Sequence, residues 1–266
     1  MAPHRPNQEP SGSWGGIQPP WVWGIIALAA LGYGLDDPTL GKAVEGWQGF
    51  MVEEGDRLRP EACQSPVWDT VLTMTALADA GLPPDDPSLT RAARWVLDEE
   101  IRGPGDWQVR RPDVAAGGWA FEFDNDNYPD TDDTAEVVLA LRRVAPKNQA
   151  AIDRALTWLA GMQSKDGGWG EDLRSYDDQA LGGRGESTAS QTAWALLALL
   201  AAGERENPAT ERGIRWLAET QRDDGTWDEP WFTGTGFPGD FYINYHLYRL
   251  AFPVSALGRY VHGGDT

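Results

Sequence analysis

Three aspartates within four residues form the group in this sequence that is best suited to acid chemistry. Asp130, Asp132 and Asp133 follow Pro129 and flank Thr131 at the start of a predicted apolar helix. Acidic residues are common at helix starts because capping and the helix dipole favour them, so a purely structural role is one interpretation. Carboxyl groups crowded at the mouth of a buried helix also repel one another, which raises the pKa of at least one of them. Such a carboxyl group would stay protonated near neutral pH and could donate its proton.

Helical periodicity does not decide which of these carboxyl groups would be the acid. Asp133 falls on the same helix stripe as Val137 and Val144. Asp132 falls on the stripe of Glu136 instead. In the first turn of a helix this test discriminates poorly, so both aspartates stay candidates at this point.

Aromatic side chains are the chemical complement of such an acid. A cavity lined with aromatic faces stabilises a cation without supplying a base to quench it, and each well-placed ring is worth about 0.5–2 kcal/mol. Ordinary core packing is the alternative role for any one of these rings. The candidates are Trp68, Phe121, Phe237, Phe241, Tyr245 and Tyr248. The last four are spaced by four, four and three residues, which places them on one face if that segment is helical.

Other patterns that could bind ligands fail on detail. The run at residues 234–239 matches G-x-G-x-x-G, but no predicted strand precedes it and a proline interrupts it. Residues 124–135 hold scattered acids, but proline and alanine occupy the glycine and final acidic positions of a calcium loop. The histidines at positions 4, 246 and 262 lack metal-ligand spacing. The sequence therefore predicts no metal site.

The composition excludes several classes of function. The chain has 266 residues with 41 acidic and 22 basic side chains, and its net charge of −19 would repel nucleic-acid phosphates. A single cysteine, Cys63, excludes an internal disulfide framework. The longest apolar run, residues 22–35, is too short and too interrupted by glycine for a membrane span. Since no signal-peptide pattern is visible, we expect a cytoplasmic globular protein.

The elements that position these candidates are repeated units. Three landmarks recur 58 positions apart, namely Trp158 and Trp216, Gln163 and Gln221, and Trp169 and Trp227. A degenerate earlier copy contains Trp95, Glu100 and Trp107, and a partial copy with Gln8 and Trp14 opens the chain. The glutamine amide is expected to satisfy free carbonyls of the loop or of a neighbouring helix start, with the tryptophan stacked on the loop. We therefore interpret Trp14, Trp107, Trp169 and Trp227 as scaffold.

The repeats predict an all-α fold. Apolar segments at about 20–33, 66–81, 132–144, 187–202 and 242–258 alternate with charged segments at about 38–50, 87–100, 148–163 and 208–221. Inner apolar helices alternating with outer amphipathic ones describe an α/α barrel, or toroid, of repeated hairpins, here incomplete with about nine helices. We expect a flexible tail at residues 1–11 and a single toroid domain at 12–262.

Together these features resemble the squalene–hopene cyclase family of triterpene cyclases. The tryptophan-bearing repeats are similar to the QW motifs of that family, and the run at residues 130–134 is similar to its D-x-D-D-T-A protonation motif. Stretches at residues 15–21, 65–69 and 234–248 are also similar to the family and occur in family order. The resemblance covers nearly the whole chain from about residue 10.

The resemblance implies a role for each candidate. The middle acid, Asp132, would be the general acid that protonates a terminal alkene, with Asp130 and Asp133 supporting it. The six aromatic residues would line a cavity that folds the polyene and stabilises successive carbocations. Neither a metal nor an organic cofactor would take part. The substrate would be squalene or a related polyene drawn from one membrane leaflet, so a peripheral location on the inner membrane face is expected.

The sequence also departs from the family. Members are much longer, with two α/α barrels, and the second barrel is essentially missing here. The segment at 167–172 joins the end of one repeat to what resembles the continuation of a later one, as if about two hairpins were lost. The lost part carries, in the family, a histidine that hydrogen-bonds the catalytic acid. A homo-oligomer that covers the open edge is one expected consequence.

Three alternatives to an active triterpene cyclase stay open. The chain could be a catalytically impaired or inactive shortened cyclase, because hairpins and the histidine are missing. It could be a class II diterpene cyclase, which shares the D-x-D-D logic. Class I prenyl chemistry is a weaker alternative, since Asp132, Asp133 and Glu136 only superficially resemble a magnesium motif and no second metal motif accompanies them.

Overall fold

The computed structural model describes most of the chain as helices. The described residues are 8, 11–14, 16–105, 108, 111–121, 129–171, 173, 185–237 and 241–263. They form two compact units, Met1–Ser65 and Pro66–Thr266. Within the described residues the structure has nine α-helices and two short β-hairpins, which confirms the all-α prediction. None of the described helices is long and apolar enough to cross a membrane. The division into a tail and a single domain at 12–262 stays a prediction.

The first unit holds one helical hairpin and one β-hairpin. Its elements are α1 (Gln18–Ala30), α2 (Pro38–Trp47), a 3₁₀ turn (Gln48–Phe50), β1 (Met51–Glu54) and β2 (Arg57–Pro60). The strands pair antiparallel, with Met51 opposite Pro60. A small core joins Trp21, Ala43 and Phe50, and the Trp21 indole donates a 2.9 Å hydrogen bond to the Ala43 carbonyl. The indole thereby ties α1 to α2.

The second unit is a double layer of helices. Its elements are α3 (Pro66–Asp79), α4 (Pro87–Asp98), α5 (Thr131–Val144), α6 (Gln149–Met162), α7 (Ala189–Ala201), α8 (Pro208–Thr220), β3 (Gly234–Phe237), β4 (Phe241–Ile243) and α9 (Tyr248–His262). The apolar helices α3, α5, α7 and α9 form an inner row in which each packs on the next, while α4, α6 and α8 pack outside it. This alternation confirms the predicted repeated hairpins of inner and outer helices. Most residues of α5 and nearly all of α7 are buried, so these two helices form the centre of the core.

The repeated glutamine and tryptophan hold neighbouring hairpins together. The Gln163 amide donates to the Gly167 carbonyl in its own loop and to the Ala209 carbonyl at the start of α8, both at 2.8 Å. The Trp169 indole donates to the Leu159 carbonyl at 2.7 Å. This is the scaffold role expected for both residue types. Equivalent bonds recur one repeat later, from Gln221 to the Gly225 carbonyl at 3.0 Å and from Trp227 to the Leu217 carbonyl at 2.9 Å.

Trp119 takes the repeat position in the earlier, degenerate copy. Its indole donates to the Val96 carbonyl at 2.6 Å, four residues before Glu100, just as Leu159 stands four residues before Gln163. The repeat spacing predicts Trp107 at this position, because Trp107 follows Glu100 at nearly the regular spacing. Trp107 itself lies outside the described residues. The longer loop shifts the equivalent tryptophan by twelve positions, and spacing alone could not follow that shift.

The predicted last helix, at about 242–258, is wrong at its start. The chain forms the antiparallel hairpin β3–β4 first, and α9 begins only at Tyr248. Phe237 and Phe241 therefore lie on paired strands, so the four aromatic residues spaced by four, four and three do not share one helix face. The physical reason is the glycine-rich run at 234–239, because glycine disfavours helix interiors and suits tight hairpins.

Candidate active site

The acidic group lies at the N-terminus of α5, where three local contacts fix it. The Asp130 side chain caps the helix by accepting a 2.9 Å hydrogen bond from the Asp133 backbone N–H. The Asp130 backbone N–H donates to the Trp119 carbonyl at 3.0 Å, and the Trp119 N–H donates to the Thr134 hydroxyl at 2.9 Å. These contacts anchor the start of α5 to the loop that carries the buried Trp119. The capping role is therefore real, but it occupies only one of the three carboxyl groups.

The three carboxyl groups lie close together. One oxygen atom from each of Asp130, Asp132 and Asp133 lies within 4.8 Å of the others. Asp133 is only 2% exposed, and its Oδ1 has no hydrogen-bond partner among the described residues. Asp130 and Asp132 are half-buried as residues, but their carboxyl groups lie inside the protein. Ionising all three would place three negative charges together away from water, which is costly.

Burial raises the pKa of every member of this carboxyl cluster, and repulsion from neighbouring acids adds to it for Asp130 and Asp133. Burial is the largest cause for Asp130, and the charges of Asp133 and Asp132 add to it, so its pKa lies well above the ordinary value. Burial and the charge of Asp132 likewise raise the pKa of Asp133 well above its usual range. The pKa of Asp132 is also raised by burial, but hydrogen bonds to its carboxylate oppose the rise. The raised pKa values favour retention of a proton within the cluster, which is the direction that the sequence predicted.

A fourth buried carboxyl group stands one helical turn further along. Glu136 is 8% exposed, and burial raises its pKa to about 7. Its Oε1 accepts a 3.1 Å hydrogen bond from the indole of Trp194 on α7. The sequence analysis did not count Glu136 as part of the acid group. Its position on the Asp132 stripe of α5 was the available signal.

An aromatic cluster surrounds Trp194, which lies next to the carboxyl groups. Trp194 is fully buried, with its ring centroid 6.0 Å from Trp68, 5.1 Å from Tyr248 and 4.2 Å from Phe252. The structure thus brings together Trp68 and Tyr248, two of the predicted cation-stabilising residues. The sequence analysis missed Trp194 and Phe252, which complete the cluster. In this structure the Trp194 ring packs directly against the other three rings.

The other predicted aromatic residues lie further out. Tyr245 is 42% exposed and stacks on Tyr248 with centroids 4.7 Å apart. Phe121 is 41% exposed and follows the buried Trp119–Ala120 pair. Phe237 and Phe241 are paired in the β3–β4 hairpin, and only their backbone is described. The role of these four residues in a substrate site stays a prediction.

Gln191 on α7 is the polar partner of the acid that the sequence analysis missed. Its side chain makes a hydrogen bond that favours the ionised form of the Asp132 carboxyl group and so lowers its pKa. Its Oε1 is buried with no hydrogen-bond partner among the described residues. The repeat supplied a signal for it, because Gln191 and Trp194 stand 58 positions after Asp133 and Glu136. Applying the period to the inner helices would have pointed to both residues.

A small cavity opens beside the N-terminus of α7. It is a shallow, partly open pocket whose lining includes Glu171, Gln191, Glu229 and Phe232. Glu171 also accepts a 2.6 Å hydrogen bond from the Thr131 N–H at the start of α5. The cavity therefore adjoins the carboxyl cluster.

The fold and the site define a helical-repeat protein with a buried carboxyl cluster of raised pKa beside aromatic rings. Comparison with protein families identifies the group it comes from. Residues 64–165 and 143–262 match the family model for the squalene-hopene cyclase C-terminal domain, and residues 4–56 match that for the N-terminal domain. The chain belongs to the squalene-hopene cyclase family, whose domains have the α/α barrel fold. The two C-terminal matches overlap at 143–165, so the α6 region matches two places in the family model, consistent with units lost nearby.

Individual relatives support the same assignment. The chain is 36% identical to a squalene–hopene cyclase of Alicyclobacillus acidocaldarius over 96% of its own length and 59% of the relative. It is 31% identical to a squalene–hopene cyclase of Bradyrhizobium diazoefficiens, with 92% and 56% covered. A dammaradiene synthase of Dryopteris crassirhizoma is 30% identical, with 96% and 58% covered. The chain thus spans less than three fifths of the length of these curated relatives.

The alignments also show that the chain is shortened internally. The comparison with the Alicyclobacillus protein runs over 380 positions, which exceeds the 266 residues of this chain. Stretches of the relative therefore have no counterpart here. This agrees with the predicted loss of hairpins, whose junction the sequence places near residues 167–172.

Proposed function

We propose that this chain is a triterpene cyclase-like isomerase that starts the cyclisation of squalene or a related polyene by protonation. The Asp132 O–H bond breaks as its proton forms a C–H bond with a terminal alkene carbon. The alkene π electrons form that bond and leave a carbocation, which the next double bond attacks to close a ring. Loss of a proton from the last cation, or capture of water with loss of a proton, restores neutrality. The observation that carries the proposal is the buried carboxyl cluster placed beside the aromatic cluster.

Two contacts favour Asp132 over its neighbours as the donor. Its charge contributes to the raised pKa of Tyr248, so its carboxyl group lies near the aromatic cluster. The hydrogen bond from Gln191 stabilises the carboxylate that remains after the proton leaves. Asp130 and Asp133 then supply the crowding that keeps a proton in the group. This division of roles matches the one implied by the family motif.

The aromatic rings would stabilise the cation, and the substrate must first separate them. Trp194 contacts both Trp68 and Tyr248, so we expect a polyene to reach the acid only when at least one of these rings turns away. Each ring that then faces the cation contributes about 0.5–2 kcal/mol. The proposal needs no metal and no organic cofactor.

The substrate class suggests where the protein works. A squalene-like polyene resides in a membrane, so we propose that the protein is cytoplasmic and binds the inner membrane face peripherally. Exposed apolar side chains on α1, including Trp23 at 67% and Ile26 at 48% exposure, suit such a contact. Co-sedimentation with phospholipid vesicles tests this, and equal binding by Trp23→Ser and wild-type protein would argue against the α1 contact.

Product analysis tests the activity. Purified protein is incubated with squalene in detergent micelles, and the extract is analysed by gas chromatography with mass detection. A cyclic product from the wild type and its loss in Asp132→Asn support the proposal. The same variant at an exposed acid, Asp153→Asn, should leave the yield unchanged. Absence of product from the wild type, or equal product from Asp132→Asn, contradicts it, and turnover of geranylgeranyl diphosphate instead would identify diterpene chemistry.

A catalytically impaired cyclase is the second candidate, and the packed rings favour it. Trp194 packs directly against the rings of Trp68, Tyr248 and Phe252, which a long polyene would have to separate. If this candidate is correct, the protein melts cooperatively by circular dichroism yet yields no product. Replacing Trp194 by Ala would then enlarge the site, and recovery of cyclic product would show that packing alone blocks the reaction.

A further inference from the structure

The turn that leads out of an outer helix recurs three times in contact with the start of the next outer helix, and we call each such turn a corner. Each corner contains a Gln or Glu that ends an outer helix or precedes the loop, and a glycine with positive φ. The three glycines are Gly12, Gly117 and Gly167, and all three are buried. A Cβ added to Gly117 would lie 2.9 Å from the Arg154 carbonyl oxygen, and one added to Gly167 would lie 3.0 Å from that of Arg212. Only glycine lets the next outer helix approach this closely.

The side chains at these corners hold the next helix by specific bonds. Gln8 donates to the Thr39 carbonyl of α2 at 2.9 Å, as Gln163 donates to the Ala209 carbonyl of α8 at 2.8 Å. A cation on the docked helix completes the contact, because Arg212 donates to the Gln163 side-chain oxygen. In the remaining corner the charged pair of Arg154 and Glu100 replaces this contact, with Nε and Oε1 2.5 Å apart.

The fourth corner, formed by Gln221 and Gly225, has the same internal geometry and an open outer side. Gln221 bonds to the Gly225 carbonyl, and Gly225 has φ +83°, as in the Gln8–Gly12 and Gln163–Gly167 corners. Both residues are exposed, and a Cβ added to Gly225 would meet no described atom within 4 Å. The Gln221–Gly225 corner therefore has the geometry needed to bind the N-terminus of an outer helix.

The N-terminus of α4 has the features that fit the Gln221–Gly225 corner. In α2, α4 and α8 the cap residue accepts from the N–H of the second helical residue, at 2.8 Å for Thr39 and Ser88 and 2.9 Å for Ala209. Each of these helices has Pro at its first position and a cation at its fifth, the fifth residue of α4 being Arg91. The N-termini of α2 and α8 each lie in a filled corner. In α4 the second and fifth residues are exposed, and the Arg91 guanidinium bonds back to the Ser88 hydroxyl at 3.4 Å.

The two ends of the inner row expose matching apolar surface. On α9 the exposed side chains include Val254 at 59% and Val261 at 68%. On α3 they include Leu72, 39% exposed, and Ala76. If the outer row continued from α8 into another α4, the inner row would continue from α9 into another α3. The apolar faces of both ends would then leave water together.

We propose that copies of this chain associate head to tail, with the Gln221–Gly225 corner of one copy holding the N-terminus of α4 of the next. The Gln221 amide donates to the Ser88 carbonyl of the second copy, and the Arg91 guanidinium of that copy donates to the Gln221 side-chain oxygen. The exposed apolar face of α9 in the first copy packs against that of α3 in the second copy. Because the two surfaces differ, the interface is heterologous, and the assembly is either a closed ring or an open chain of copies.

Sedimentation velocity of the full chain over a wide concentration range, without detergent, tests this interface. The wild type should associate as concentration rises, and Arg91→Glu should weaken association by about tenfold or more. Gln221→Glu should tighten association, because it recreates the Glu100–Arg154 pair across the interface. The tightening should disappear when Arg91→Ala is added. Arg57→Glu, an equal charge change on exposed β2, is the matched control and should have no effect.

Charge exchange provides the most specific readout. The double variant Gln221→Arg with Arg91→Glu should recover the association lost in Arg91→Glu alone, while circular dichroism confirms that each variant is folded. A wild type that stays monomeric at every concentration overturns the proposal. Association that is equal in wild type, Arg91→Glu and Gln221→Glu also overturns it, since another surface would then be responsible.

Discussion

At the scale of single residues, the site depends on how α5 and α7 divide polar and aromatic side chains between them. Each position of α7 stands 58 residues after its counterpart in α5, so Gln191 corresponds to Asp133 and Trp194 to Glu136. Across the helix contact, Gln191 bonds to Asp132 and Trp194 bonds to Glu136. The repeat thus places a neutral donor opposite each of two carboxyl groups. A neutral donor stabilises a carboxylate without adding a positive charge that would hold it ionised permanently.

Removing the donor from Gln191 should make Asp132 harder to ionise. In Gln191→Leu we expect the pKa of Asp132 to rise, because the hydrogen bond that favours its carboxylate is lost. Carboxyl ¹³C NMR titration, assigned by comparison with Asp132→Asn, measures this independently of any activity. If the chain is active, the decline of cyclisation with rising pH should move to higher pH in this variant. Ser190→Ala, whose side chain bonds to Glu229, is the neighbouring control and should leave the titration unchanged.

Glu136 should cost stability at neutral and alkaline pH. Its pKa of about 7 exceeds the ordinary value of 4.5, so the folded state holds its proton where the unfolded chain has lost it. The penalty is absent below pH 4.5, grows as pH rises to about 7 and then stays constant at about 3 kcal/mol. Glu136→Gln keeps an acceptor for Trp194 and removes the ionisation. Urea unfolding should show the variant more stable by roughly this amount at pH 8 and unchanged at pH 4.

A surface substitution separates this effect from a general change in charge. Glu219→Gln on α8 removes the same charge at an exposed position and should leave the free energy of unfolding unchanged at both pH values. A gain in Glu136→Gln that is equally large at pH 4 and pH 8 would show that ionisation of Glu136 is not the cause.

At the scale of elements, the corners determine which helices the sequence could predict. The period of 58 residues predicted the hairpins from α5 to α8 because Gln163 and Gln221 keep the same distances to their tryptophans. The same period predicted Trp107 instead of Trp119 in the earlier repeat, because the loop before Trp119 is longer. Only the folded structure shows which indole reaches the Val96 carbonyl. The acid group was predictable from its local spacing. Its partners Gln191 and Trp194 were not singled out, because they approach α5 only when α7 packs against it.

The filled and the open corner should differ in stability. Gln163 is buried and donates two backbone hydrogen bonds, each worth about 1 kcal/mol, so Gln163→Ala should cost about 2 kcal/mol or more. Gln221 is exposed and makes only the bond within its own loop among those described, so Gln221→Ala should cost about 0.5 kcal/mol. Urea unfolding at a dilution where the chain is monomeric compares the two. Equal losses would mean that the contact with the next helix start contributes nothing.

At the scale of the whole molecule, charge and buried acids favour the same pH range. The net charge of −19 produces repulsion between exposed carboxylates at neutral pH. Burial raises the pKa of Asp130, Asp132, Asp133 and Glu136, so the folded state binds more protons than the unfolded chain over the range where these groups titrate. Stability then falls as pH rises through that range. Glu100 acts in the opposite direction, because its bonds to Arg154 and Arg102 lower its pKa.

We therefore expect maximal stability in mildly acidic solution. Four groups with raised pKa outweigh the one buried carboxyl group whose pKa is lowered, so the melting temperature should decline from about pH 5 to pH 8. Differential scanning calorimetry at constant ionic strength measures the decline. Added salt screens the surface repulsion but acts much less on buried groups, so a large part of the decline should persist in high salt. In Glu136→Gln that salt-resistant part should shrink, and a decline that vanishes with salt in both proteins would assign it to the surface charge alone.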